Sequence, residues 1–211
     1  MKILISAGPT REKIDPVRFI TNYSSGKMGY ALAEAAEKAG YDVTLVTGPV
    51  SIEPPDGVKV IKVESASEMA AAMKSEFGNS DITISCAAVA DYRPRNVSVQ
   101  KMKKTDGPLT LELERTEDIL ASLGKLKRGT QLLVGFAAET EDLIKNARKK
   151  LNTKNLDFII ANDISRKDQG FGSDMNEVTV ISRTGETAKL PLQSKKEIAQ
   201  KIITLLSEAN G

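Results

Sequence analysis

The segment Asn22-Tyr23-Ser24-Ser25-Gly26-Lys27-Met28-Gly29 gathers an amide, two hydroxyls, two glycines and a lysine between an apolar opening run and an alanine-rich stretch. Ser24 and Ser25 are candidate N-caps, and Gly26 and Gly29 let the backbone come close to a ligand. A helix starting here turns free N–H groups and the positive end of its dipole toward the turn, which suits an anion and above all a phosphate. The same residues also describe an ordinary capped βα turn, so the chemistry must be argued from its company. Lys101-Met102-Lys103-Lys104 puts three ammonium groups in a Pro- and Gly-bounded insertion. This is either a solvated charge run or a lid whose flexible stems follow charge developing on a triphosphate. Ala87-Ala88-Val89-Ala90-Asp91-Tyr92 and Gly135-Phe136-Ala137-Ala138-Glu139 each close an apolar run. Small residues there admit a ring or ribose, Asp91 suits an exocyclic amine or a metal, and Phe136 suits a base. Tight strand packing, a capping Asp and a core Phe are the plainer readings. The basic group Lys145, Arg148, Lys149, Lys150 and Lys154 either reaches phosphates or solubilises a helix; Lys150 and Lys154, four apart, share a face if the helix persists.

What is missing narrows the chemistry further. The 211 residues include no histidine and one cysteine, which removes Ser-His-Asp hydrolysis, Cys-His proteolysis, His-ligated metals and thiolate zinc. Lysine, carboxylate, amide, hydroxyl and backbone donors remain, with Mg²⁺ as a companion, and these are tools for phosphates and activated carboxylates. No intramolecular disulfide is available, so a reducing, cytoplasmic location is expected. Cys86, with no imidazole to activate it, reads as a small residue inside a buried strand. A net charge of +2 with 4% aromatics and no Trp argues against a nucleic-acid partner. No apolar run reaches membrane-spanning length, and Met1-Lys2-Ile3-Leu4-Ile5 reads as strand rather than leader, so no membrane partner is expected. Gly26-Lys27 is followed by Met28, so there is no Walker A motif. The first turn, Ala7-Gly8-Pro9-Thr10-Arg11, lacks a dinucleotide fingerprint, and Thr47-Gly48-Pro49 supplies no acid after the second strand. Both absences weigh against a nicotinamide-dependent reductase.

These groups need a frame. Apolar runs predict strands over Lys2–Ala7, Asp42–Thr47, Val58–Val63, Asp81–Ala88, Gln131–Ala137 and Asp157–Ala161. Helical spacing predicts helices over Ser25–Ala39 (closed by Gly40), Ser67–Phe77 (capped by Ser65 or Ser67), Asp118–Leu126, Glu141–Leu151 and Lys195–Glu208. Arg11–Tyr23, Gly48–Gly57 and Asp163–Asn176 read as loops. Val178–Ser182 and Thr187–Leu190 read as a hairpin. The rhythm breaks between 93 and 113, where Leu109–Leu113 alternates as a short strand of a two-stranded flap. The fold class expected is α/β: one Rossmann-like, doubly wound, mostly parallel sheet over residues 1–211, with helices on both faces. Sites in such sheets lie at the carboxyl ends of the strands.

Taken together, Ser6 to Glu12, Asp15-Pro16-Val17-Arg18, Asn22 to Gly29, Ala87 to Tyr92, Lys101 to Lys104, Gly135 to Thr140, Lys154-Asn155-Leu156-Asp157 and Ala161-Asn162-Asp163 span nearly the whole chain. In that order they resemble phosphopantothenoylcysteine synthetase, in the bacterial CTP-using form that is usually the C-terminal half of a bifunctional coenzyme A biosynthesis protein. The resemblance implies a ligase joining 4′-phosphopantothenate to L-cysteine with CTP and Mg²⁺ through an acyl-cytidylate. It implies a homodimer, and a flavin-dependent decarboxylase as fused or partnering unit. Carried over by motif, Lys101 sits at the reacting phosphate, with Lys103 and Lys104 shaping the lid. Asn22 holds the acyl-cytidylate and helps the second step. Ser24, Gly26, Ala87, Asp91, Phe136, Lys150 and Lys154 serve the nucleotide, and Ala88 and Arg18 the substrate, Arg18 at its phosphate within the chain or across the dimer. Thr116-Glu117-Asp118-Ile119 stands where the family commonly shows Asn-Pro-Asp-Ile, so Asp118 and Ile119 match, while Thr116 and Glu117 would contact nucleotide through backbone. The metal ligands are not specified. The rival of another class is a noncatalytic nucleotide-binding regulatory module on the same fold.

Overall fold

Lys2–Ala7 (β1) is apolar on both faces and is buried from Ile3 onward, as a central parallel strand must be. A computed structural model describes residues 1–104, 106–139, 143–163 and 172–209. After β1 come β2 (Arg11–Asp15), β3 (Arg18–Thr21), α1 (Lys27–Lys38), β4 (Asp42–Thr47), β5 (Lys59–Lys62), α2 (Ala66–Phe77), β6 (Ile82–Ser85) and β7 (Tyr92–Pro94). The remainder is β8 (Leu113–Arg115), α3 (Ile119–Leu126), β9 (Leu132–Glu139), α4 (Leu143–Thr153), β10 (Phe158–Asp163), β11 (Met175–Ser182), β12 (Thr187–Ser194) and α5 (Lys195–Ala209). Among the described residues one eight-stranded sheet runs β12-β11-β10-β9-β6-β1-β4-β5. Its pairings are parallel except those of β11 with β10 and β12.

Alternation along β1 divides the core. Ile3, Ile5 and Ala7 join α1 and α5 on one face, while Leu4 joins α2, α3 and α4 on the other. This is the expected doubly wound α/β sheet with a C-terminal hairpin. From β1 the chain winds outward to β4 and β5, then returns to β6 on the opposite side of β1. The strand order therefore reverses between β1 and β6, and a crevice opens at their carboxyl ends.

Four local expectations are corrected. Arg11–Tyr23 is no loop: β2 and β3 pair antiparallel in a separate two-stranded sheet. Its polar sequence hid a hairpin that turns on Asp15, whose Oδ1 accepts from Val17 N–H and Arg18 N–H at 2.9 Å each. The strand expected over Asp81–Ala88 ends at Ser85, so Cys86 lies just beyond it. There Ser6 Oγ accepts from Ala87 N–H (3.2 Å) and Thr10 Oγ1 from Ala90 N–H (3.0 Å), side chains adding to backbone bonds such as Ala88 N–H to Gly8 O (2.9 Å). The flap pairs Tyr92–Pro94 with Leu113–Arg115 rather than using Leu109–Leu113. Ion pairs Arg93–Glu114 (2.7 Å) and Arg95–Glu112 (2.6 Å) join its two sides, and Leu109 and Leu113 are exposed. The last hairpin is longer than its apolar core, and β12 accepts Pro191 because it is the sheet edge. The start of the helix expected over Glu141–Leu151 falls partly outside the described residues, as does most of the loop expected over Asp163–Asn176.

Candidate functional site

Gly26 is the N-cap of α1, with φ of +79°, and no side chain caps the helix. The expected serine cap is therefore corrected: Ser24 Oγ accepts from Gly26 N–H (3.3 Å) inside the turn, leaving the first turn of α1 open toward the crevice. A left-handed residue is needed where the chain swings into the helix, and glycine supplies it without strain. Gly29 sits one turn on, where a Cβ would come within 2.5 Å of Ala7 Cβ. Its lack of a side chain lets α1 lie directly on β1.

The crevice is a cleft of about 780 Å³. Asn22, Ser24, Gly26, Ala87, Ala88, Asp91, Thr116, Glu117, Asp118, Ile119, Phe136 and Lys154 all line it. Residues from 22 to 154 are thus brought together by strand ends from both sides of the switch point. Asn22 Nδ2 donates to Ala88 O (3.0 Å) and Val89 O (3.2 Å), fixing its amide across the cleft. Thr116 Oγ1 donates to Ala90 O (2.6 Å), and Thr116 N–H to Asp91 O (3.0 Å), so Thr116 braces the Asp91 turn. Glu117 is engaged with Lys74 and Ser122, which lowers its pKa. Asp118 caps α3 by accepting from Ala121 N–H (3.0 Å) and pairs with Lys154 (2.8 Å). Burial pushes the Asp118 carboxyl up, but the Lys154 hydrogen bond, the Ala121 N–H and the charges of Lys154 and Lys150 outweigh it, and its pKa is lowered. Lys150 does not line the cleft; its charge reaches Asp118 from the last turn of α4.

Lys101, Lys103 and Lys104 lie on the exposed segment outside the cleft wall, and Arg18 is held by Asp15 Oδ2 (2.5 Å). Sequence reasoning placed Lys27 and Asn162 in matching segments without giving them a role, and did not single out Asn176 or Lys195 on the opposite wall. Lys195, at the start of α5, is buried and lines the cleft with Lys27, Asn162 and Asn176. Burial and the neighbouring Lys27 charge push the Lys195 ammonium down. Cys86, expected inside a buried strand, is half-buried just past β6 and lines the cleft, and burial pushes its thiol up to about 12, which disfavours the reactive thiolate. Among the described residues Asn162 Oδ1 is the buried side-chain polar atom without a hydrogen-bond partner. An orphan acceptor in a cleft wall suits a ligand donor. The signal for Asn162 was present, a polar residue ending the apolar run Phe158–Ala161. Nothing in Ser194-Lys195-Lys196-Glu197 distinguishes the lysine that is buried from the one that is exposed.

Among the described residues no group of three or more His, Cys, Asp or Glu converges on a metal site. Among the described residues the carboxylates lining the cleft are Asp91, Glu117 and Asp118, the last two already paired with Lys74 and Lys154.

An open helix start, a strand-order switch and a cleft lined by small residues, amides and lysines characterise a doubly wound α/β domain of Rossmann-like topology. The match to the DNA/pantothenate metabolism flavoprotein C-terminal domain covers residues 1–209, and the chain belongs to that family. It is 53% identical over 213 residues to the coenzyme A biosynthesis bifunctional protein CoaBC of Bacillus subtilis (strain 168), covering 99% of this chain and 52% of that protein. The chain thus spans about half the length of the curated relatives it matches. A crystal structure of the C-terminal domain of CoaBC superposes with TM-score 0.84 at 48% identity, covering 98% of this chain and 94% of that one. The DNA/pantothenate metabolism flavoprotein from Streptococcus pneumoniae superposes with TM-score 0.85 at 27% identity over 99% of each.

Proposed function

We propose that the chain is a phosphopantothenate–cysteine ligase of coenzyme A biosynthesis, acting in the cytoplasm with CTP and Mg²⁺. The observation that carries this reading is Asn22, tied by its amide to Ala88 O and Val89 O where the open start of α1 faces the carboxyl end of β6. The CoaBC relatives support a place in coenzyme A biosynthesis, and the motif resemblance supplies the substrates.

In the first step a carboxylate oxygen of 4′-phosphopantothenate attacks the α-phosphorus of CTP, and the bond to the β-phosphate breaks. Pyrophosphate leaves with the electron pair, and an acyl-cytidylate remains. In the second, the cysteine amine attacks the acyl carbon, the bond to the CMP oxygen breaks, and the amine proton passes to solvent. Neither step needs imidazole. Lys101 stabilises charge on the transferring phosphoryl group, Lys103 and Lys104 cover it, and the N–H groups beyond Gly26 receive phosphate oxygens. Lys154, with Lys150 behind it, draws the nucleotide toward Asp118 and Ile119, while Phe136 lies against it. Asn22 orients the acyl carbonyl for the amine. Mg²⁺, when bound, neutralises triphosphate charge. Selection of CTP over ATP belongs to the same reading and rests on the motif resemblance alone, while a flavin-dependent decarboxylase as fused or partnering unit is supported by the bifunctional CoaBC relatives.

The test is pyrophosphate release with Mg²⁺, 4′-phosphopantothenate and either CTP or ATP, with and without cysteine. Release that requires phosphopantothenate, prefers CTP and turns over with cysteine is the expected result. A folded protein that binds CTP but releases nothing is a noncatalytic module.

A further inference from the structure

The lysine segment is held at Met102 by two groups of the β2–β3 hairpin. Met102 N–H donates to Asp15 Oδ2 (3.1 Å), and Met102 C=O accepts from Arg18 Nη2 (3.0 Å). Met102 is half-buried while Lys101, Lys103 and Lys104 around it are exposed. Asp15's side chain has no exposed surface, and Arg18 Nε (3.0 Å) and Nη2 (2.5 Å) complete the set of donors on Oδ2. One further tether, Ser98 N–H to Ile14 O (2.9 Å), fixes the start of the segment to the same hairpin.

A tight turn between β2 and β3 needs only the Oδ1 contacts to Val17 and Arg18. The second oxygen, a buried charge with a guanidinium partner, is an expense the turn does not require. It is aimed at the lid. The hairpin is also joined to the site: Thr21 Oγ1 donates to Thr10 O (2.7 Å), and Asn22, one residue past β3, spans to Ala88 and Val89.

We infer that Asp15 is a positioning residue, clasping Met102 together with Arg18 so that Lys101 swings from a fixed backbone carried by the same hairpin as Asn22. A flexible ammonium stabilises a transferring phosphoryl group only when its backbone is placed beforehand. The clasp thus registers the group serving the first step against the group serving the second. The inference about catalysis rests on the proposed ligase activity; the clasp itself does not.

The test uses Asp15→Asn, which keeps the shape and removes the charge. Trypsin cleavage after Lys101, Lys103 and Lys104, followed by mass spectrometry, reads the clasp without any substrate. Cleavage in the variant should be about tenfold faster or more, because a released segment opens more often. Pyrophosphate release should fall about tenfold or more, and the loss should vanish in a Lys101→Gln background, since both changes act on one interaction. Faster cleavage with a loss that persists unchanged beside Lys101→Gln would reduce Asp15 to a structural role and overturn the inference. Unchanged cleavage would overturn the clasp. If Asp15→Asn does not fold, Met102→Pro removes the amide donor without touching Asp15, and cleavage after Lys103 and Lys104 gives the same reading. A wild-type protein that releases no pyrophosphate would sink the ligase reading, yet the cleavage assay would still decide the clasp.

Discussion

At the scale of the residue, the site divides labour between an amide that is already fixed and lysines that are not. Asn22 is pinned to two carbonyls of the strand end, so its contribution is geometric. Asn22→Asp should therefore spare pyrophosphate release more than it spares amide formation from the acyl-cytidylate. Lys101→Gln should reduce pyrophosphate release by about 100-fold or more, the scale of losing one charge-stabilising donor. Equal loss of both half-reactions in the Asn22 variant would contradict this division. Asp15 carries the clearest pH signature. The Arg18 hydrogen bond, opposed by burial and aided by the Val17, Met102 and Arg18 N–H groups, holds its carboxyl well below the usual range. A depressed folded-state pKa contributes stability that is fully present above the unfolded value near pH ~3.9, and that is lost as pH falls through the folded value. The stability difference between wild type and Asp15→Asn in urea should accordingly be flat from about pH 5 to 8 and shrink below about pH 4.

At the scale of the element, α1 does two things with one sequence. Its alanines, with Leu32 and Tyr30, bury against the sheet, and its start opens on the cleft. Gly29 joins these roles, because any side chain there would press on Ala7 and lift the first turn from β1. Gly29→Ala should cost about 1–3 kcal/mol in urea unfolding, the usual price of overpacking a tight contact, and should weaken CTP binding in calorimetry. Unchanged affinity at reduced stability would separate the packing from the site. The helices were legible because apolar positions recur on one face; Ser65, one of the two serines expected, caps α2, while Asp118, expected as the first residue of α3, is its cap. The β2–β3 hairpin was not legible. Its strands bury little apolar surface, and its turn depends on a carboxylate whose other partner lies 87 residues away.

At the scale of the whole molecule, exposed apolar side chains gather around that hairpin and the segment docked on it. Tyr23 is 96% exposed and Val99 91%, with Val17, Phe19 and Val97 also open to solvent. The resemblance implies a homodimer, and we propose that a second copy covers this region; light scattering should then give twice the chain mass of 22.8 kDa. Tyr23→Glu together with Val99→Glu should shift that mass to the monomer; a dimer unaffected by both changes would place the interface elsewhere.

By itself the sequence determined the chemistry that is open, since a chain without histidine must work through lysine, amide, carboxylate and backbone. It also determined the winding, because strand and helix periodicities are local and survive in one dimension. The site was half legible: the glycine turn, Asn22, Asp91 and Phe136 stand out where they end an apolar run. Only the tertiary structure decided that Gly26 rather than a serine caps α1, that Lys195, Asn162 and Asn176 form the far wall, and that Asp15 holds Met102. The far wall depends on strand ends brought together by the reversal of strand order between β1 and β6, and the clasp on residues 87 apart in sequence; no local pattern encodes which distant groups will meet.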